Sequence, residues 1–231
     1  MQHQGETPLD RRALIKRMAI GGAVVWASPM MTSVASAAAI TSCRTGVLST
    51  LDWDQVPLGA FSSVTSKGMT VSVSTAVLSG TSVPSNNKAV EAGQSGAVTA
   101  NHLHFEMVPN ASGRQQTITF TFSKLVTNLV IPVYDVDALG FLAPYQDQIV
   151  VNTSGHTSTV PSGSNVTGAG TLASPYENSN TTVLVDASSD DGNLLLRHPG
   201  PITSFSFIYR NGNQSGGQQQ WIDIGDLSFN C

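Results

Sequence analysis

The feature that most constrains the fold of this chain is a strict alternation of apolar and polar residues near its centre. Between residues 117 and 122, an isoleucine and two phenylalanines alternate with three threonines. A period of two places successive side chains on opposite faces, which is typical of a half-buried β-strand. A second apolar run, residues 126–136, follows a short break at Ser123-Lys124. The two runs predict central strands of a sheet with a break between them.

The same alternation recurs along most of the chain after residue 46, separated by clusters of Gly, Ser, Pro and Asn. We count about ten strand signals, with a turn signal every 8–15 residues or so, and no convincing helical period. Short strands with turns at both ends favour two packed antiparallel sheets. We therefore predict an all-β fold: a two-sheet antiparallel β-sandwich, jelly-roll-like, formed by residues 38–231 as a single domain.

Residues 1–37 have the organisation of an export signal. Arg11 and Arg12 precede an apolar stretch at 18–34, and the small residues 35–37 then supply a cleavage site. The paired arginines resemble those of a bacterial twin-arginine (Tat) signal peptide, which implies export by the Tat pathway. An ordinary Sec signal that carries two arginines is the alternative. The predicted localisation is secreted, extracellular or cell-wall associated.

The charge left after removal of this segment bears on the partners. Four of the 11 basic and two of the 15 acidic residues leave with it, so seven basic and 13 acidic residues remain and the net charge is −6. A negative chain has no basic footprint for nucleic acid or anionic lipid. No later segment is apolar and long enough to span a bilayer. We predict a cell-surface glycan or protein as partner, no nucleic acid, and no membrane span after signal removal.

The two cysteines, Cys43 and Cys231, lie at the two extremes of the predicted mature chain. In an exported protein this placement predicts a disulfide between the first and last strands. An alternative stays open, because residues 40–43 loosely match a lipobox, in which Cys43 would be the lipidated first residue.

Several motifs of the predicted strands resemble those of a known group of modules. They are Thr-Phe-Thr-Phe-Ser-Lys-Leu-Val-Thr-Asn-Leu at 119–129, Asp-Val-Asp at 135–137, Gln-Asp-Gln-Ile-Val-Val at 146–151 and Ile-Gly-Asp-Leu-Ser-Phe at 224–229. Together they resemble jelly-roll-type β-sandwich modules of secreted and surface bacterial proteins. The resemblance implies an extracellular, adhesive or wall-associated module without a defined activity.

Three aspartates, Asp135, Asp137 and Asp147, lie around one loop at the end of the central strands. Carboxylates two residues apart at a strand end, with a third brought back by a loop, offer the hard oxygen ligands that Ca²⁺ prefers. The sequence thus predicts Ca²⁺ as the one possible cofactor, at these residues. The alternative is a set of solvated turns at a strand end.

A second group, His102, His104 and Glu106, shares one face of a predicted strand. Two imidazoles and a carboxylate could hold Zn²⁺ with a water in the fourth position. The alternative is an exposed polar face opposite a buried one, because Leu103, Phe105 and Met107 alternate with the group.

Aromatic residues in the acidic loop are the candidates for sugar binding. Phe141 and Tyr145 are expected to be exposed there and to offer stacking surfaces for a glycan. No catalytic motif is apparent, and no catalytic residue is assigned. The sequence favours an exported noncatalytic module for binding or scaffolding at the bacterial surface. The alternatives are a carbohydrate-binding module and a jelly-roll hydrolase or lyase.

Overall fold

The computed structural model of this protein describes residues 39–40, 43–139, 145–180, 185–212 and 218–231. The predicted signal residues Arg11 and Arg12 and the predicted ligand-binding Phe141 lie outside these ranges. The predictions that concern them therefore stay predictions.

The described residues are almost entirely β-structure, and their one helix is a 3-10 turn at Trp53–Gln55. The strands are β1 (Leu48–Leu51), β2 (Gly59–Ala60), β3 (Ser63–Ser66), β4 (Met69–Val77), β5 (Thr81–Ser82), β6 (Ala89–Glu91), β7 (Gln94–Ser95), β8 (Val98–Thr99), β9 (His102–Pro109), β10 (Gln115–Tyr134), β11 (Ala138–Leu139), β12 (Tyr145–Val151), β13 (Thr157–Thr159), β14 (Val166–Thr167), β15 (Tyr176–Asn178), β16 (Leu194–His198), β17 (Ile202–Asn211), β18 (Gln220–Ile224) and β19 (Leu227–Asn230).

These strands form two antiparallel sheets. The first sheet has the order β3-β4-β10-β17-β12-β15-β14. In the second, β13, β16 and β10 are followed by β18 and β19, which continue one another across a bulge at Gly225–Asp226. On the far side, β18 pairs with β9, then β6 and β2, while β19 pairs with β1. The predicted all-β, two-sheet antiparallel fold is confirmed.

Strand β10 belongs to both sheets. Residues 115–122 pair with β4 and β17 in the first sheet, and residues 127–134 pair with β16, β18 and β19 in the second. The register shifts between Thr121 and Val126, where residues 123–125 are exposed. The sequence predicted two strands with a break. The structure has one bent strand, because the break is the corner at which the chain passes from one layer to the other.

One continuous core fills the space between the sheets. The alternation at 117–122 holds, since Ile118, Phe120 and Phe122 are at most 2% exposed. The rings of Phe122 and Phe229 meet edge to face at 5.5 Å, which joins β10 to β19. At one end Trp53 is fully buried and its indole nitrogen donates to the Gly225 carbonyl oxygen at 2.8 Å. The indole thereby fastens the 3-10 turn to the bulge.

The two ends of the described chain meet in the second sheet. Cys43 and Cys231 form a disulfide, and β1 lies antiparallel to β19 just inside it, so the predicted bridge is confirmed. Ile40 forms an isolated bridge with Leu51, and the amide of Asp52 donates to the Ala39 carbonyl oxygen at 2.9 Å. Ala39 and Ile40 are both fully buried. Residues 39–40, close behind the predicted cleavage site, therefore belong to the sandwich.

Candidate functional site

Five ionisable side chains come together on one face of the second sheet. His102, His104 and Glu106 follow one another at every second position of β9. Asp223 of β18 lies opposite His104, and Glu91 of β6 lies opposite His102. Three neighbouring strands therefore present their polar side chains to the same side, because cross-strand partners share a face. We call these five residues the His/carboxylate cluster.

The expectation that this face of β9 is exposed was wrong. His102 and His104 are each 7% exposed and Glu106 is 1% exposed. The chain before β9 folds back over the face: the Ser95 hydroxyl donates to an oxygen of Asp223 at 2.7 Å, and the Asn87 side chain accepts from the Glu106 amide at 2.9 Å. The sequence of this segment, residues 79–96, is rich in Gly, Ser, Pro and Asn and predicts a long loop, and the docking site of a loop is not encoded in strand periodicity.

His104 lies between two carboxylates of the cluster. Its Nδ1 is 2.8 Å from Asp223 Oδ1, and its Nε2 is 3.5 Å from Glu106 Oε2. Burial lowers the pKa of His104, but the hydrogen bonds to Asp223 and Glu106 outweigh it and raise the pKa to about 10. Burial likewise opposes ionisation of Asp223, yet the two imidazoles and the Ser95 hydroxyl hold its pKa below the ordinary value. His104 and Asp223 thus form a buried ion pair.

His102 is held in a different way. Its Nδ1 lies 3.3 Å from the Ala100 carbonyl oxygen and its Nε2 lies 3.6 Å from Asp223 Oδ2. A carbonyl oxygen can only accept, so Nδ1 carries the proton there. Among the described residues, Glu91, His102 and His104 form the one group of three whose ligand atoms all lie within 4.8 Å of one another. The structure thus gathers the two predicted histidines and adds Glu91, whereas Glu106 lies behind His104.

The three predicted aspartates lie at the end of β10 and on β12, and all are buried. Asp147, which is 0% exposed, accepts from the Tyr209 hydroxyl at 2.6 Å and from the Gln220 amide at 2.9 Å. Asp137 accepts from the Tyr145 hydroxyl at 2.9 Å, and its amide donates to Asp147 Oδ2 at 3.2 Å. The carboxylates of Asp137 and Asp147 therefore take their hydrogen bonds from within the protein, and the network joins the two sheets.

Burial opposes ionisation of both carboxyls of this pair. Burial first, then the neighbouring Asp137 charge and the hydrogen bond between the two side chains, raise the pKa of Asp147 well above its ordinary value. Burial raises the pKa of Asp137 as well. Two such carboxyls share a proton more readily than they both ionise. Binding of Ca²⁺ by Asp135, Asp137 and Asp147 stays a prediction.

Tyr145 was expected to be exposed, and that expectation was wrong. It is 7% exposed, and its hydroxyl group is used by Asp137. Burial, followed by the negative charges of Asp137 and Asp147, raises the pKa of the phenol, so the hydroxyl remains a donor. A buried ring is not a stacking platform for a sugar. The sequence placed Tyr145 in a loop, whereas it begins strand β12.

The aspartate pair predicts how stability depends on pH. Because the folded pKa of each carboxyl is raised, the stabilisation is fully present below the ordinary value of about 3.9 and is lost as pH rises through the raised value. Asp137→Asn mimics a protonated carboxyl, so we expect the variant to lose less thermal stability than wild type between about pH 5 and about pH 8. Differential scanning calorimetry at both pH values measures this difference, with the exposed Asp186→Asn as control. Parallel curves for wild type and Asp137→Asn would contradict it.

Four residues of these two networks were missed by the sequence analysis: Glu91, Tyr209, Gln220 and Asp223. Asp223 alternates with Ile222 and Ile224, which are fully buried, so its position predicted a solvated face. Tyr209 and Gln220 belong to different sheets, and only the packing of the sheets brings both to Asp147. The one indication in the sequence was Asp223, an acidic residue in the middle of an apolar strand.

The described part of the chain contains no helix with the length and apolar character needed to cross a membrane. The absence of nucleic acid among the partners stays a prediction.

Comparison with known proteins yields one distant likeness. No family model and no curated protein sequence matches the chain. A solved structure, the adhesin domain of PrgB from Enterococcus faecalis bound to DNA, matches with a TM-score of 0.38 and 10% sequence identity. The match covers 79% of this chain and 62% of that one, so the chain spans less than two thirds of that structure. A likeness of this extent carries no argument about what this chain binds.

Proposed function

We propose that this chain is an exported, noncatalytic β-sandwich module that binds or scaffolds at the bacterial cell surface or in the extracellular medium. The observation that carries the proposal is the Cys43–Cys231 disulfide, which closes nearly the whole sandwich. Disulfides of this structural kind form and persist in oxidising compartments outside the cytoplasm. A cell-surface glycan or protein is the proposed partner.

The burial of Ala39 and Ile40 supports a cut upstream of residue 39. Cleavage after residue 37 leaves both residues in the second sheet. Lipoprotein processing would instead cut directly before Cys43 and remove them. Loss of a fully buried isoleucine costs roughly 2–5 kcal/mol, so that route would weaken the sandwich.

The inward orientation of the ionisable groups supports a structural role for them. The described residues of the His/carboxylate cluster and of the aspartate pair make their hydrogen bonds within the protein. Side chains used in this way stabilise the packing of strands and sheets. We therefore expect a partner to contact the loops and the outer faces of the sandwich. Polar side chains that serve the fold, with loops and outer faces left for contact, favour a binding or scaffolding module.

Export through the Tat pathway is tested with the paired arginines. We expect the Arg11→Lys/Arg12→Lys variant to remain in the cytoplasm, because the Tat translocase recognises the arginine pair of the signal peptide. Arg17→Lys, which changes an arginine outside the pair, should be exported like wild type. Cell fractionation with immunoblotting measures both. Equal export of the double variant would assign the signal to the Sec pathway.

Binding is tested with isolated cell envelopes and a glycan array. We expect the labelled, disulfide-bonded protein to be retained saturably and to leave the bound glycan intact. Protein that has been reduced and unfolded serves as the control for nonspecific adhesion. Release of soluble sugar fragments would instead support the hydrolase or lyase alternative, and retention no greater than that of the unfolded control would contradict a binding role.

A further inference from the structure

We propose that Glu91, His102, His104 and Asp223 form a binding site for a transition-metal dication of the Zn²⁺ class. The four residues come from the adjacent strands β6, β9 and β18 and share one face of the sheet. Imidazole nitrogen and carboxylate oxygen are the ligands of such ions, and four of them satisfy a closed site. This goes beyond the proposed function, which needs no metal.

The spacing of the ligand atoms already approaches that of a site. Atoms of Glu91, His102 and His104 lie within 4.8 Å of one another. Asp223 joins them, since its Oδ1 is 2.8 Å from His104 Nδ1 and its Oδ2 is 3.6 Å from His102 Nε2. The backbone ladders that join β6, β9 and β18 fix the positions of these four residues relative to one another.

The surroundings orient the ligands as metal sites require. The proton of His102 on Nδ1 points to the Ala100 carbonyl oxygen, which leaves the Nε2 lone pair facing Asp223. Glu106 lies 3.5 Å from His104 Nε2, on the side of the ring away from Asp223. Metal-bound histidines almost always donate their second N–H to a carbonyl or carboxylate in this manner. Both histidines of the cluster have such a partner.

The composition of the cluster also suits such an ion. Three carboxylates, Glu91, Glu106 and Asp223, lie on the same face as two imidazoles. Carboxylate oxygen and imidazole nitrogen are both donors that dications of the Zn²⁺ class accept.

A route for the ion exists beside the cluster. His102 lines a cavity of about 80 Å³ together with Ser95, Asn101, Tyr134 and Asp226. Glu91, the last residue of β6, is only half-buried. Two of the four proposed ligands are thus accessible, His102 from the cavity and Glu91 from solvent.

The test uses untagged full-length protein freed of metal with a chelator and then titrated with Zn²⁺ by calorimetry and with Co²⁺ by absorption spectroscopy. We expect one equivalent of each ion to bind, with the d–d bands of nitrogen- and oxygen-ligated Co²⁺. His102→Ala should weaken binding by about 100-fold or more. Glu106→Gln, which alters the group beside His104 Nε2 and also the acceptor of the Gln219 amide, should weaken it by about 10- to 100-fold. His156→Ala, a histidine in a distant loop, is the matched control and should bind like wild type.

Glu91→Gln is a second variant, chosen so that the test does not depend on whether His102→Ala folds. It keeps the size of a half-buried side chain, so the protein should remain folded by circular dichroism while its Zn²⁺ affinity falls by about 10-fold or more. The proposal is overturned if wild type shows neither saturable Zn²⁺ binding nor Co²⁺ bands. It is overturned equally if folded His102→Ala and Glu91→Gln bind Zn²⁺ as tightly as His156→Ala does.

Discussion

Replacing both Cys43 and Cys231 with serine is expected to lower the free energy of unfolding by roughly 5 kcal/mol. The two residues are 188 positions apart, so the disulfide closes a loop that contains nearly the whole sandwich. In the chain-entropy account a longer closed loop restricts the unfolded chain more strongly, and its removal costs more. For a domain of this size the loss corresponds to a melting temperature lower by about 10–20 °C.

Chemical denaturation measures this effect. Urea unfolding of wild type and of the double serine variant, followed by tryptophan fluorescence, gives both free energies and both slopes. We expect a larger slope for the variant, because its unfolded state is less constrained and exposes more surface. Wild type in the presence of a reductant is the control and should match the variant. A difference of less than about 1 kcal/mol would mean that the bridge does little to hold the first and last strands together.

The second large effect is expected in the core, where Phe120→Ala should cost about 3–5 kcal/mol. Phe120 is fully buried on β10, opposite Val73 of β4 and Phe205 of β17. Its removal leaves a cavity between the two sheets at the centre of the first sheet, where neighbouring strands cannot readily close in. The transfer of the ring to water and the cavity both contribute to the cost.

The neighbouring residue provides a matched control. Thr121 follows Phe120 on the same strand but is exposed. We expect Thr121→Ala to change the free energy of unfolding by less than about 1 kcal/mol, which is the range of strand propensity. Urea denaturation of the two variants compares the faces of β10 directly. Similar losses for both variants would contradict the alternation from which the fold was predicted.

The layers of the sandwich could be predicted because burial leaves a period of two in the sequence. Ile118, Phe120 and Phe122 show it most clearly, and the structure buries all three. The corner of β10 was predicted only in part. The sequence shows a polar break at 123–125, yet it does not tell whether the chain there turns back or passes on into the other sheet. That choice depends on pairing with β16 and β19, which are distant in sequence.

The candidate sites were predicted less well, for a related reason. Their residues were recognised as chemical groups, but the pattern that revealed them also predicted that they face solvent. His104 became buried because the segment carrying Asn87 and Ser95 docks on its strand. Asp147 became buried because Tyr209 and Gln220 approach it from the two sheets. Contacts between elements far apart in sequence leave no periodicity to detect.

The central claim is that the exported sandwich is closed where its first and last strands meet. Intact mass combined with a non-reducing peptide map of protein collected outside the cytoplasm tests it most directly. We expect a chain that begins upstream of Ala39, lacks two hydrogens and yields a Cys43–Cys231 linked peptide. A chain that begins at Cys43 and carries diacylglycerol, or one with two free thiols, would contradict the claim.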